Sequence, residues 1–153
     1  MLNSDLFACI VKNTPLISID LIVKNGNGEI LLGLRKNEPA KGFWFVPGGR
    51  IFKNERIANA FKRISGNELG IEYNISQSKF LGVYEHFYDN NLFNDDFSTH
   101  YIVMGFNISL EEAAEGMKAQ HETCRWFDIE ALLADPMVHR YTKDYFLERK
   151  GIR

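Results

Sequence analysis

The sequence is poor in the features that would place it in several broad classes. It holds two cysteines, Cys9 and Cys124. Neither belongs to a CxxC or Cys/His spacing, so no metal centre of that kind can be built, and in a reducing compartment both are expected as free thiols. No stretch approaches the roughly 18 consecutive apolar residues of a spanning helix. The N-terminus lacks a basic flank followed by an apolar run. These absences lead us to expect a cytoplasmic protein with no membrane partner. A basic surplus is missing too: 18 Lys and Arg stand against 20 Asp and Glu, a formal charge of −2, which is not the footprint of a nucleic-acid binder. There is no internal repeat, linker or low-complexity tract. What remains is 153 residues, 45% hydrophobic and 13% aromatic. That is one domain, 1–153, able to bury about 70% of its unfolded surface.

Along the chain, Leu6 to Lys12 reads as a short amphipathic segment that breaks at Thr14-Pro15. Leu16 to Val23 is rich in β-branched residues and is interrupted by Asp20, an uncommon residue in strands, for which an edge or solvent-facing position is the plain explanation. Asn25-Gly26-Asn27-Gly28 is a hairpin signal, with Glu29 to Leu34 as the returning strand. Phe43 to Val46 is a short apolar strand. Lys79 to Phe87 and His100 to Ile108 are two more, separated by the Asn/Asp-rich loop from Asp89 to Asp96. Leu110 to Met117 reads as loop or a turn of helix, and Arg125-Trp126-Phe127 as a strand fragment. Asp128 starts a helix near Ile129 to Leu133, and Asp135-Pro136 is expected to open another towards Glu148. Strands, a central helix, more strands and terminal helices predict an α/β (α+β) fold, a mixed sheet sandwiched between helices.

The stretch from Pro47 to Ile71 organises the rest. Gly48-Gly49 reads as a flexible turn whose backbone can approach a ligand closely. Ile57, Ala60, Phe61 and Ile64 recur at one-face helical spacing, and Gly70 sits where a C-terminal cap belongs. Glu68 lies about 40° from Ile64 around that helix, at the edge of the buried stripe. A carboxylate there needs a partner, and a hard divalent cation suits it. Glu55 and Arg63, about 80° apart on a helix, read as structural partners. On spacing alone, a non-catalytic segment carrying a chance glutamate stays open.

Gly49, Glu55, Arg63, Glu68, Gly70 and Ile71 resemble the Nudix box, the signature of hydrolases acting on nucleoside diphosphates linked to another group. Ile64 and Asn67 stand where the usual box has glutamates, so only Glu68 remains of the helix carboxylates. The whole chain resembles the branch of GDP-mannose mannosyl hydrolases. The matching residues are Thr14-Pro15-Leu16, Asp20, Gly33-Leu34-Arg35, Gly42 through Arg50, His86-Phe87-Tyr88-Asp89, Thr99-His100-Tyr101 and Gln120-His121. The resemblance implies the Nudix fold, a homodimer, and hydrolysis of GDP-mannose, with GDP-glucose a second substrate, at the sugar C1–oxygen bond. A phosphorus-attacking pyrophosphatase and a silent nucleotide-binding domain are the rival classes.

It also implies residue roles. Glu68, the Gly48 carbonyl and Gln120 are the expected protein ligands of one Mg²⁺ per subunit, with Mn²⁺ able to substitute. His121 is the expected general base, a task suited to imidazole. Arg35 and Arg50 clamp the diphosphate through planar donors, Tyr101 donates to the leaving group, and Asp20 and His86 sit by the sugar. Without the resemblance Gln120 would read as a solvated loop amide and Arg50 as a surface arginine. Spacing does not choose among His86, His100, His121 and His139. The family pattern is departed from at Cys124, where a tyrosine is usual, and near Glu111 to Gly116, one residue shorter.

Overall fold

The computed structural model describes residues 2–94, 96–110, 123–147 and 152. Helix α1 (Ser4–Asn13) opens the chain, with the Asn3 side chain accepting from the Leu6 amide at 2.8 Å. It stops at Thr14, which is extended, as a residue preceding proline is biased to be. Strand β1 (Leu16–Lys24) follows, then the Asn25 turn and β2 (Ile30–Leu34). Asn25 holds the turn through its side-chain oxygen, which accepts from the amides of Asn27 and Glu29. Two short strands come next, β3 (Trp44–Phe45) and β4 (Gly48–Arg50), and then helix α2 (Ile57–Leu69). Gly70 ends α2 with φ of 76°, the left-handed cap that favours glycine. The long strands β5 (Lys79–Tyr88) and β6 (Thr99–Ser109), β7 (Cys124–Phe127) and the short helices α3 (Ile129–Ala134) and α4 (Arg140–Lys143) complete it.

The sheet is mixed. Its order is β3-β2-β1-β6-β5, with β4 paired to β1 and β7 to β2. Strand β1 lies parallel to β6 over its whole length, and on its other edge it takes β4 at Ser18–Asp20 and β2 at Lys24. Because side chains alternate along a strand, β1 feeds two different layers. Ile19, Leu21 and Val23 are fully buried in a cluster with Ala60, Phe61, Ile64 and Leu69 of α2. Ile22 joins Leu32, Val46, Phe127, Leu132 and Val138 on the opposite face, under α3. Each such buried aliphatic or aromatic side chain contributes about 1.5–3 kcal/mol. This is the Nudix fold predicted from the sequence.

Three expectations need correction. Gly48-Gly49 is not a turn: both lie in β4, and neither has positive φ. No helix opens at Asp135-Pro136. The Met137 and Val138 amides bond to the Asp135 side chain and carbonyl, while Trp44 and the Met137–His139 segment exchange backbone hydrogen bonds, so 136–137 is a turn and Val138 a bridge to Trp44. The helix begins only at Arg140, capped by His139. Finally, Asp20 is not at a sheet edge, because it has Gly105 on one side and Gly48 on the other. Neither Cys9 nor Cys124 is in a disulfide, as expected. Leu110 is described, but the remainder of the expected 110–117 loop is outside the described residues.

Candidate active site

The even-numbered side of β1 builds a polar cavity. Register places Asp20 beside Gly105, and Tyr101, Tyr84, His86 and Tyr88 on the same face, through β6 and β5. The cavity is about 120 Å³ and is lined by Ser18, Asp20, Arg35, Phe45, Gly48, Gly49, Arg50, His86, Tyr88 and Tyr101, among others. The structure thus brings together six of the nine residues singled out from the sequence: Asp20, Arg35, Gly48, Arg50, His86 and Tyr101.

Gly48 is a glycine for reasons of space. A Cβ there would come within 2.5 Å of both Asp20 Oδ1 and the Ile19 carbonyl oxygen. Asp20 is half-buried and lines the cavity. Desolvation pushes its pKa up to about 7, against the opposing pull of the Tyr145 hydrogen bond and the nearby Arg35 charge. The Tyr145 hydroxyl donates to Asp20 Oδ2 at 2.5 Å.

Both arginines are held before any ligand arrives. Arg35 Nε donates to the Pro39 carbonyl at 2.8 Å, and its guanidinium faces the Phe45 ring at 5.6 Å. The Arg50 guanidinium lies 4.0 Å from the ring centre of Phe7, so α1 shapes this side of the site. Two preset guanidiniums at one cavity suit a diphosphate.

His86 is buried, and its ring stacks on Tyr141 at 4.3 Å and 6°. Desolvation, with some repulsion from His139, pushes its pKa down to about 3, so the ring is neutral near pH 7. Its Nε2 is buried with no hydrogen-bond partner among the described residues. His139 is held down to about 4 by burial and by the Arg140 and Arg35 charges. Burial also raises the pKa of Tyr101, Tyr88 and Tyr145, so all three remain protonated donors.

The other side of β1 is different. Ile64 is 2% exposed, and its Cγ1 would lie 3.1 Å from a Cβ on Gly49. A position that holds a carboxylate in the usual box is here part of the apolar core. Glu68, one turn later on α2, is half-buried and lies outside the described lining of the cavity. Glu55 and Arg63 are partners, as expected: two hydrogen bonds of 2.8 and 2.9 Å join them, and Arg63 Nη2 also donates to the Arg50 carbonyl at 2.8 Å. The first of these bonds holds the Glu55 carboxyl below its ordinary range. The pair ties the start of α2 to β4.

Gln120 and His121 fall outside the described residues. Among the described residues no group of three or more His, Cys, Asp and Glu forms a metal centre. The donors in question, the Glu68 carboxylate and the Gly48 carbonyl, are oxygens, and the bare Gly48 backbone faces the cavity. Hard cations such as Mg²⁺ and Mn²⁺ take that donor chemistry, so the residues fit. Sequence reasoning missed Tyr145, Tyr141 and Gly105, and it named His139 only as one of four histidines among which spacing does not choose. Tyr88 belongs to a stretch that carries the family resemblance, and the sequence assigns it no role. No spacing rule links Tyr145 to Asp20 across 125 residues.

Fold and site together define a hydrolase of the Nudix class. The chain belongs to the NUDIX domain family, whose profile matches residues 14–148. It is similar to the low-salt glycan biosynthesis protein Agl8 of Haloferax volcanii, with 40% identity over 137 residues, 90% of this chain and 86% of that protein. Among solved structures it resembles the MutT NUDIX hydrolase from Burkholderia pseudomallei, at a TM-score of 0.65 and 25% identity, covering 87% of this chain and 96% of that one. It also shares its fold with the MutT protein from Methanosarcina mazei Go1, at a TM-score of 0.68 and 22% identity, covering 88% and 92% respectively. Among the described residues no helix is long and apolar enough to cross a membrane.

Proposed function

We propose that the protein hydrolyses GDP-mannose, with GDP-glucose as second candidate, by attack of water at sugar C1 to give GDP and the free sugar. The observation that carries this reading is the distribution of carboxylates. The α2 face has Ile64 buried against Gly49, leaving little to activate a water for attack on phosphorus. The cavity face has Asp20 beside two arginines, where an ionised carboxylate favours positive charge developing at C1. A relative named for glycan biosynthesis fits a substrate that carries an activated sugar.

Arg35 and Arg50 hold the diphosphate. Tyr101, kept protonated by burial, donates to the departing oxygen as the C1–O bond breaks and its electron pair moves to the diphosphate. His121 takes the proton of the attacking water. His86, neutral and with an unsatisfied Nε2, offers a hydrogen bond to a sugar hydroxyl. Glu68, the Gly48 carbonyl and Gln120 would hold the divalent cation, which when bound neutralises charge on the diphosphate. A single displacement inverts the anomeric carbon, so an α-linked substrate releases the β sugar. The homodimer that the family resemblance implies is checked by sedimentation.

Turnover of GDP-mannose with Mg²⁺ in ¹⁸O-water tests the reaction. Label in free mannose is the expected result. Label in a phosphate product would replace this reading with phosphorus attack, and no turnover of any GDP-sugar would replace it with a binding domain.

A further inference from the structure

Two glycines and a tyrosine fit around Asp20 in a way the proposed chemistry has not yet used. Gly48 is on one side of it in the sheet and Gly105 on the other. The Gly48 backbone abuts Oδ1, since a Cβ there would stand 2.5 Å from that atom. The space above Gly105 is filled by Tyr145: an added Cβ would lie 2.9 Å from Tyr145 Cε1 and 3.2 Å from Tyr84 Cε2. The Tyr145 ring meets Tyr84 edge-on, with centroids 4.5 Å apart, and its hydroxyl ends on Asp20 Oδ2. Only a bare backbone at 105 lets an aromatic ring from the 3₁₀ turn Asp144–Phe146, just beyond α4, lie flat enough on β6 to reach this carboxylate.

We propose that Tyr145, admitted by Gly105, is a positioning residue for Asp20: it occupies Oδ2 and so fixes the carboxylate's rotation, leaving Oδ1 as the oxygen presented to the sugar. This deepens the reading of Asp20 given above and rests on it. The Tyr145 hydroxyl suits the task because burial keeps it protonated, so it always donates. The Tyr84 ring and the buried cluster around Ile22 pack against the Tyr145 ring.

The test is a pair of mutant cycles on the full chain. Tyr145→Phe keeps the ring and removes only the donor. With GDP-mannose and Mg²⁺ it should lower kcat about tenfold, the usual cost of one hydrogen bond near a charge, with KM changed less than about twofold. In an Asp20→Ala background the same substitution should have no further effect on kcat. Gly105→Ala, which displaces the ring, should reproduce the kcat loss and add nothing in a Tyr145→Phe background. A loss carried by KM alone, or one that persists without Asp20, overturns the proposal. Melting temperature gives a readout that needs no substrate. Tyr145→Phe should lower it by about 3 °C in the wild type and by about nothing in Asp20→Ala; equal shifts in the two backgrounds overturn the proposal. If the coupling is found but no GDP-sugar is turned over, the pairing stands and the reading of the substrate falls.

Discussion

The two faces of β1 make opposite use of the same strand. On the odd-numbered face, Ile19, Leu21 and Val23 meet α2, and even Ile64, at a position where the Nudix box usually has an acid, is packed as core. On the even-numbered face, Ser18 and Asp20 open into a cavity flanked by two arginines, two histidine rings and several tyrosines. A buried carboxylate needs a partner or stays neutral. Asp20 has Tyr145 and a route to solvent through the cavity, whereas a carboxylate at position 64 would have neither. The helix side of the sheet thus has an apolar residue at position 64 while the cavity side has Asp20, the distribution expected if, as proposed, the electrophile is carbon rather than phosphorus.

The comparison breaks most severely at His121, the base proposed to serve the cavity face. His121→Leu should lower turnover by about 10²- to 10⁴-fold in a steady-state assay with GDP-mannose, with the fold intact by circular dichroism. Unchanged turnover would remove it from the mechanism.

The helix face is probed by Ile64→Glu, which restores the usual acid. It should cost roughly 4 kcal/mol in urea unfolding without Mg²⁺, because it buries an unpaired charge, and ¹⁸O should still enter the sugar. Label moving to phosphate would mean that one carboxylate decides the reaction.

Protonation probes the cavity face at lower energy. His86 has a folded pKa of about 3 against 6.5 unfolded, so it binds a proton only on unfolding between those limits. Its contribution to stability is therefore lost as pH falls below about 6.5. Asp20 is raised to about 7 and acts with the opposite sign, favouring the folded state at the acid end and losing that contribution as pH rises from about 4 to 7. His86→Phe keeps a ring against Tyr141 and removes one of the two. From pH 6.5 down to pH 4 its stability should gain on wild type by about 1.4 kcal/mol per unit, read from urea midpoints. Parallel curves would show that His86 is not buried neutral.

The smallest effect belongs to the brace between the faces. Glu55→Gln should lower stability by about 1–2 kcal/mol, since Arg63 keeps its bond to the Arg50 carbonyl and its place 3.9 Å from the Phe52 ring centre. A loss above 3 kcal/mol would make the brace part of the core.

Most elements could be read from local pattern because their causes are local. The Asn25–Gly28 turn, the one-face periodicity of α2 and the cap at Gly70 depend on residues within a few positions of one another. The Glu55–Arg63 pair was legible for the same reason, being eight residues apart on or beside one helix. Where a distant partner intervened, the reading failed. Pro136 looked like a helix start, yet Trp44 captures that segment through backbone hydrogen bonds. Gly48 looked like a turn, yet its requirement is clearance from Asp20. Asp20 looked like an edge residue because its partner lies 125 positions away.

By itself, then, the sequence determined most of the strands and helices and the Nudix family, and it named the candidate site residues, since these follow from short-range spacing and residue chemistry. The tertiary structure alone decided which way those side chains face and in what protonation state. The pairing of β1 with β6 and β4 sets which side of the sheet Asp20 occupies, and burial there, by removing water, sets the charge it and His86 carry.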